Sequence, residues 1–282
     1  MTECFFVSDL HGKIDRYTKL FLLIEQDKPD AVFIGGDLLP HFLARNELYD
    51  DFVVDYFFPN LTRLKELLKD HYPQIFLILG NDDARIEEEV FAEDAYKELF
   101  YYINQRKVLF HNHPVFGYSF VPPTPFQLKD WEKYDVSRYV DPGCVHPVDG
   151  FRTTEPTEAI EYATIQKDLE DLTRDEDLSK AIFLFHSPPY ETFLDRAALD
   201  GMMVDHVPLD LHVGSIAMKK FIEEKQPLLT LHGHIHESTR LTGNWMQRIG
   251  HTVSFNAAHD GPELSVIQFD AEHPENARRM LV

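Results

Sequence analysis

Seven aspartate, asparagine and histidine residues stand directly after, or close behind, short apolar runs of the sequence. The runs are CFFVS, AVFIGG, QIFLILG, AIFLF and PLLTLHG, and the polar residues that follow them are Asp9, His11, Asp37, Asn81, His186, His234 and His236. Apolar runs of this length are typical of strands buried in a sheet. Because ligands bind at the carboxyl ends of strands in an open α/β sheet, the sequence predicts that these side chains meet at one edge.

The predicted cluster has the chemistry of a metal site. Carboxylate, amide and imidazole groups form a mixed oxygen and nitrogen ligand set, which suits divalent ions of the Mn, Fe, Co, Ni or Zn class better than calcium or magnesium. In Asp9-Leu10-His11 and His234-Ile235-His236, one residue separates two candidate ligands. In an extended segment such residues point to the same side, so each motif could hold an ion with both side chains.

The segments between these motifs predict an α/β fold. Apolar runs alternate with amphipathic segments, which is the pattern of strands connected by helices. The predicted helices cover about residues 13–27, 46–69, 88–103, 156–172 and 214–224, and Pro59 could interrupt the second of them. Short apolar runs at 245–249, 252–256 and 264–269 predict a terminal β-meander.

The middle of the chain has a different character. Residues 111–152 are rich in proline and aromatic residues and show no sustained period, so we expect short strands and ordered loops there. Such a segment could wall or cover the site and stack on a nucleotide-like ligand. No internal repeat or linker interrupts the sequence, so we expect residues 1–282 to form one domain.

The charge of the chain limits its partners. Its 48 acidic residues exceed its 27 basic residues and give a formal net charge of −21. This charge opposes binding to nucleic acid or to an anionic membrane surface. A small anion remains a possible ligand, because bound metal ions reverse the sign of the local charge.

The sequence has the features of a cytoplasmic protein. The only cysteines, Cys4 and Cys144, form no zinc-type spacing. The start, MTECFFVSDL, lacks the basic residues and long apolar core of a signal peptide. No window approaches the roughly 18 apolar residues of a membrane span. We therefore expect a cytoplasmic location and no membrane partner, while the sequence leaves the oligomeric state open.

The ordered motifs resemble those of the calcineurin-like metallophosphoesterases. Each block is weak alone, but together they are specific and span residues 9–236: Asp9-Leu10-His11, Gly36-Asp37, Gly80-Asn81-Asp82-Asp83, His186 and Gly233-His234-Ile235-His236. The resemblance implies a four-layer α/β/β/α sandwich with a dinuclear metal site at the carboxyl ends of the strands. It also implies a metal-dependent hydrolase, a phosphatase or phosphodiesterase, that acts on a small phosphate monoester or diester.

The resemblance also implies a role for each candidate ligand. One divalent ion would be held by Asp9, His11 and His236, the other by Asn81, His186 and His234, and Asp37 would bridge them. Two ions roughly 3.5–4 Å apart supply a bridging hydroxide at neutral pH and clamp the phosphoryl oxygens during attack.

The third block departs from the family pattern. That block usually reads Gly-Asn-His followed by an acid, and the histidine is assigned to protonating the leaving group or to stabilising charge in the transition state. Here Asp82 stands in the place of the histidine and Asp83 in the place of the acid. A carboxylate beside two dications stays ionised, so Asp82 is a poor proton donor and would repel a phosphate.

Three explanations of the departure are open. Another histidine, His41 or His212, could supply the acid; the enzyme could be limited to esters with good leaving groups; or Asp82 could turn away in a site that binds more than it cleaves. A missing general acid costs about 10²- to 10⁴-fold in rate. The alternative function is therefore a metal-binding regulatory or scaffold protein with attenuated catalysis.

Overall fold

Two six-stranded sheets form the centre of the protein in its computed structural model, which describes residues 2–41 and 49–282. The strands in these ranges are β1 (Glu3–Val7), β2 (Ala31–Gly35), β3 (Gln74–Ile78), β4 (Tyr101–Tyr102), β5 (Arg106–Phe110), β6 (His113–Tyr118), β7 (Ile182–Phe185), β8 (Met203–Val204), β9 (Val207–Pro208), β10 (Leu229–His232), β11 (Met246–Ile249), β12 (Thr252–Asn256), β13 (Ser265–Asp270) and β14 (His273–Leu281). The α-helices are α1 (Ile14–Asp27), α2 (Phe58–Leu68), α3 (Glu88–Phe91), α4 (Ile165–Leu172), α5 (Ile216–Lys225) and α6 (Ser238–Thr242).

Parallel pairing dominates the centre of each sheet. The first sheet has the order β14-β13-β1-β2-β3-β4, with β1 to β4 parallel to one another. The second has the order β11-β12-β10-β7-β6-β5, with β12, β10, β7 and β6 parallel. Antiparallel strands close the other edges, and β8 and β9 form a separate small hairpin.

The two sheets pack face to face, and helices cover their outer faces. Phe6 of the first sheet and Leu231 of the second belong to one fully buried cluster between the sheets. On the outside, Tyr17 of α1 packs with residues of β1 and β2, and the ring of Phe183 in β7 lies 5.0 Å from that of Phe221 in α5. The alternation of side chains along each strand thus serves two apolar interfaces. The predicted four-layer α/β/β/α fold is confirmed.

Several helix predictions were right about position and wrong about length. The segment predicted as a helix at 46–69 contains α2, in which Pro59 occupies the first turn, where its missing N–H costs little. A π-helical segment, Val53–Phe57, precedes it, and residues 46–48 of the prediction lie outside the described residues. Helix α4 begins only at Ile165, because Thr164 caps it by accepting a hydrogen bond from the Lys167 N–H.

The prediction of one helix at 88–103 was wrong. Helix α3 ends at Phe91, and the chain then forms β4, which extends the first sheet. The ring of Tyr101 stacks on that of Phe76 in β3 at a centroid distance of 5.3 Å. Here pairing with a sheet edge and aromatic contact prevailed over a helical pattern in the sequence.

The prediction that the last strands of the chain form one β-meander was also wrong. Strands β11 and β12 join the second sheet, and β12 lies parallel to β10. The chain then crosses to the first sheet, where β13 pairs with β1 and β14 pairs with β13. The strand positions were right, but local pattern does not specify the partner of a strand.

The strands that precede the candidate ligands all end at the same side of the molecule. β1, β2 and β3 are parallel, as are β7 and β10, so the loops that follow them emerge together. Gly36, with a φ of 95°, lets the two sets of loops meet. A Cβ atom at this position would lie 2.6 Å from Nδ1 of His186, so a side chain would collide with the loop of the other sheet.

Among the helices of the described residues, none combines the length and the apolar character that crossing a membrane requires.

Candidate metal centre

The structure gathers the candidate ligands into two groups that share one residue. Asp9, His11, Asp37 and His236 each offer one ligand atom, and these atoms lie within 4.8 Å of one another. Asp37, His186 and His234 form a second group within the same limit. Asp37 alone belongs to both groups, and it is only 3% exposed. The arrangement therefore offers two adjacent sites with a common carboxylate.

The first group points its donor atoms at a common place. Nε2 of His236 lies 3.1 Å from Oδ1 of Asp9 and 3.2 Å from Nε2 of His11. Nε2 of His11 lies 3.9 Å from Oδ2 of Asp37. Two imidazole nitrogens that face each other at this distance need a proton or a cation between their lone pairs.

The second group is more deeply buried and includes Asn81. Nε2 of His186 lies 3.0 Å from Oδ1 of Asn81 and 3.3 Å from Oδ2 of Asp37. Nδ1 of His186 donates to the backbone oxygen of Gly35 at 2.8 Å, which directs the lone pair of Nε2 into the group. The ring of His234 lies beside that of His186, with 5.2 Å between centroids.

Four of the seven candidate ligands have a left-handed backbone. The φ angles are 58° for Asp9, 49° for His11, 51° for Asp37 and 70° for His234. Positive φ is uncommon for residues other than glycine, and such strained residues cluster at functional sites. The sharp turns redirect the chain at the strand ends and aim the side chains inward.

Hydrogen bonds between loops fix this geometry. The N–H of His11 donates to the Asp37 backbone oxygen at 2.8 Å, and the N–H of Asp82 donates to Oδ1 of Asp37 at 2.8 Å. The N–H of His234 donates to Oδ1 of Asp9 at 3.1 Å. Candidate ligands thus hold one another through the backbone, which makes the site part of the fold.

Burial and opposite charges together set the protonation of the two groups. Burial raises the pKa of Asp9, but the charge and hydrogen bond of His236 together with the charge of His186 lower it to about 2. Burial lowers the pKa of His186, but the charges of Asp37 and Asp9 and the hydrogen bonds to Asp37 and Gly35 together raise it to about 9. Burial and the charge of His186 lower the pKa of His234 to about 3. The carboxylates are ionised and draw protons onto neighbouring imidazoles, which marks a negative site where a metal cation can displace those protons.

Asp83 is a buried residue whose carboxylate connects two loops. It is fully buried, and its carboxylate accepts hydrogen bonds from the N–H groups of Gly80 (2.8 Å), Leu38 (3.1 Å) and Leu39 (2.8 Å). Burial and the charge of Asp37 raise its pKa to about 7. Asp83 therefore ties the loop after β2 to the loop after β3.

Asp82 lies between two histidines. Its Oδ2 is 3.3 Å from Nδ1 of His11, and its Oδ1 is 3.4 Å from Nε2 of His41. The side chain of Asp82 is 27% exposed and that of His41 is 49% exposed. The structure thus brings His41 to the residue that departs from the family pattern.

The structure places His212 differently. It lies between β9 and α5, outside both ligand groups, and its Nδ1 lies 2.8 Å from Oδ1 of the fully buried Asp195. The Asp195 carboxylate also accepts from the N–H groups of Glu191 and Thr192, at 2.9 Å each. This pair holds the loop together.

Two residues that support the candidate site were not predicted from the sequence. Arg16 of α1, 3% exposed, donates to the backbone oxygen of Asp9 at 2.7 Å and to that of Gly261 at 2.6 Å. Trp131, in the irregular middle segment, donates its Nε1–H to the backbone oxygen of Asp83 at 2.9 Å. An arginine beside apolar positions of an amphipathic helix was a signal for the first, whereas no pattern marked the second.

Comparison with known proteins identifies the family. The family sequence model described as calcineurin-like phosphoesterase matches residues 4–238, most of the chain. The chain belongs to this family. Calcineurin-like phosphoesterases use divalent metals, and the two Asp and His groups described above could hold such ions.

Solved structures show the same fold at low sequence identity. A crystal structure of TT1561 of Thermus thermophilus has 17% identity and a TM-score of 0.55, with 99% of this chain and 98% of that chain covered. Another crystal structure has 16% identity and a TM-score of 0.57 at the same coverage. No curated protein matches the chain significantly. The comparisons therefore show the family and the fold, and they do not identify the substrate.

Proposed function

We propose that this member of the calcineurin-like phosphoesterase family hydrolyses a small phosphate monoester or diester with two divalent metal ions. The observation that supports this most is the shared Asp37, which links two groups of buried donor atoms. A carboxylate has two oxygens and can serve two ions, whereas an imidazole nitrogen serves one.

The donor set of each group fits a divalent transition metal ion. Asp9, His11 and His236 would hold one ion with oxygen and nitrogen atoms that already converge, and Asp37 would contribute to both. Asn81, His186 and His234 would hold the other, and Asn81 is assigned to this ion because His186 contacts it directly. Metal ions bound there would supply the positive charge that activates water and neutralises a phosphoryl group.

We assign the proton donor role to His41. It is half exposed and lies 3.4 Å from Asp82, which occupies the position of the family's proton-donating histidine. His212 is bound to the buried Asp195 in another loop, and neither Asp82 nor the buried Asp83 is suited to the role. A histidine donates a proton near neutral pH, whereas an ionised carboxylate does not.

We also propose that residues 1–282 form one domain in which the middle segment is a wall of the site. Two contacts support this role for the segment: the Trp131 hydrogen bond to Asp83, and the N–H of Arg85 donating to Oδ2 of Asp130 at 2.7 Å.

A metal-dependent screen tests the function. Metal-free protein, cleared of contaminating phosphatase, is supplied with Mn²⁺, Fe²⁺, Co²⁺, Ni²⁺ or Zn²⁺ and offered monoesters, diesters and cyclic nucleotides, including p-nitrophenyl phosphate and its bis ester. We expect turnover with at least one ion, and loss of that turnover in Asp37→Asn.

The same screen separates the enzyme from a scaffold protein. If the chain binds metal ions but hydrolyses no ester with any of them, the phosphoesterase proposal is wrong and the regulatory or scaffold function takes its place. Activity that persists unchanged in Asp37→Asn would point to a contaminant.

A further inference from the structure

We propose that Asp82 is a positioning residue that orients two histidines, His11 in the first ligand group and His41 at the edge of the site. The proposal rests on the proposed function, since it concerns how the chain prepares the same metal centre. It gives a positive role to the residue that replaces the family's histidine.

The contact with His11 determines which ring nitrogen faces the ligand group. Asp82 Oδ2 lies 3.3 Å from Nδ1 of His11, while Nε2 of the same ring faces His236 and Asp37. A neutral imidazole carries one proton, and a carboxylate at Nδ1 holds the proton on that nitrogen. The lone pair of Nε2 is then directed to the metal, as in other sites where a carboxylate supports a metal-bound histidine.

In the second ligand group His186 is oriented in the same way, with a backbone carbonyl in place of the Asp82 carboxylate. His186 donates Nδ1–H to the backbone oxygen of Gly35 at 2.8 Å and turns Nε2 toward Asp37. A backbone carbonyl is available there because His186 is fully buried against the other sheet. His11 lies at the more open side, where the side chain of Asp82 supplies the acceptor.

The other oxygen of the same carboxylate faces His41. Oδ1 lies 3.4 Å from Nε2 of His41, so one side chain contacts two imidazoles with its two oxygens. The backbone of Asp82 is itself fixed, because its N–H donates to Oδ1 of Asp37 at 2.8 Å. The carboxylate can therefore hold His41 at a constant distance from the metal-binding group.

The contacts with both histidines also reduce the repulsion that is expected between an aspartate at position 82 and a phosphate. A free carboxylate would repel a phosphate, but the oxygens of Asp82 lie 3.3 Å from Nδ1 of His11 and 3.4 Å from Nε2 of His41, and imidazole N–H groups at these positions partly compensate its charge. Asp82 together with His41 then does the work that the family usually gives to one histidine. The chain supplies the imidazole from the loop after β2 and its support from the loop after β3.

Metal binding by Asp82→Asn tests the proposal without relying on activity. The asparagine has the same shape but can present its NH₂ group to His11, so it no longer fixes the tautomer. Metal-free protein comprising residues 1–282 is titrated with Co²⁺ and followed by calorimetry and by the cobalt absorption spectrum. We expect the Co²⁺ affinity of the site formed by Asp9, His11 and His236 to fall by about 10- to 100-fold and the Co²⁺ affinity of the other site to stay unchanged.

Asp260→Asn is the matched control. Asp260 pairs with Arg240 on the surface, and its side chain is 27% exposed, the same as that of Asp82. We expect Co²⁺ affinity within twofold of the unchanged protein. In a His11→Ala background, adding Asp82→Asn should cost little more Co²⁺ affinity, because the residue it orients is gone.

A spectroscopic measurement covers the case in which Asp82→Asn does not fold. In the unchanged, metal-loaded protein, ¹⁵N chemical shifts should show His11 protonated at Nδ1. Protonation at Nε2 would overturn the proposal, as would Co²⁺ affinities of Asp82→Asn equal to those of the Asp260→Asn control.

The outcome is distinguishable from failure of the proposed function. If the unchanged protein binds two Co²⁺ ions and hydrolyses esters while Asp82→Asn binds them equally well, only the positioning role is wrong. If the unchanged protein binds no Co²⁺, or binds it equally well after Asp37→Asn, the metal centre itself is wrong and the role of Asp82 falls with it.

Discussion

The two halves of the candidate metal centre are built from similar residues but held in different ways. The Asp9 half contains Asp9, His11 and His236, and the His186 half contains Asn81, His186 and His234. In the Asp9 half the side chains of His11 and His236 are 18% and 33% exposed, whereas His186 is fully buried. The histidines His11 and His236 of the Asp9 half are therefore more open to solvent than His186, although Asp9 itself is buried and His234 is partly exposed.

The difference extends to what orients each histidine. The backbone of Gly35 supports His186, and it cannot move without disturbing β2. A partly exposed side chain, Asp82, supports His11. A family can change such a side chain without changing the fold, so the Asp9 half is the side where this chain departs from the family pattern.

The largest effect is expected where the two halves meet. Asp37→Asn should weaken both sites, because this residue is shared, and should reduce activity by more than the roughly 100-fold that loss of an orienting partner can cost. Metal content and turnover are measured on the same sample. Asp15→Asn on the exposed face of α1 is the control. Loss of only one metal equivalent would show that the halves do not depend on a common carboxylate.

The next largest effect concerns His41, which contacts the Asp9 half through Asp82. His41→Gln should slow hydrolysis of an ester with a poor leaving group by about 10²- to 10⁴-fold, and a p-nitrophenyl ester by much less, because a good leaving group needs no acid. The slope of rate against leaving-group pKa measures this.

His212→Gln is the matched control for His41→Gln. It should leave that slope unchanged, since His212 is bound to Asp195 outside both ligand groups. A steeper slope in His212→Gln than in His41→Gln would reverse the assignment of the acid.

Removing one histidine from each half should separate metal binding from folding. His186→Ala leaves buried polar partners at Gly35 and Asn81, so we expect it to destabilise the metal-free protein by about 1–3 kcal/mol. His236→Ala, at a more open position, should cost less. Urea unfolding of both variants without metal gives the comparison, and equal losses of unfolding free energy would contradict it.

The smallest effect is kinetic. A chelator should take metal from the Asp9 half before the His186 half, because His11 and His236 are more exposed than His186. Loaded protein mixed with excess chelator should release its ions in two phases, and His236→Ala should remove the faster one. Release in one phase would mean that the two halves exchange their ions together.

Much of the fold could be predicted because the relevant signals are local. A buried parallel strand needs a continuous apolar run, and each such run before a candidate ligand proved to be a strand. The failures arose where distant contacts decided. Tyr101 and Tyr102 lie in a segment with a helical pattern, yet they pair with β3. Strands β11 and β13 are near in sequence but join different sheets.

The sequence by itself determined the order and chemistry of the strand ends, and with them the family. Residue type and position after an apolar run are fixed along the chain, so Asp9 and Asp37 could be proposed as ligands from the order of residues alone. Only the tertiary structure decided which residues touch. The loops after β2 and β3 bring His41 to Asp82, and the loop after β1 brings His11 to the other oxygen of that carboxylate. Such contacts depend on sheet register and loop course, which local sequence does not encode.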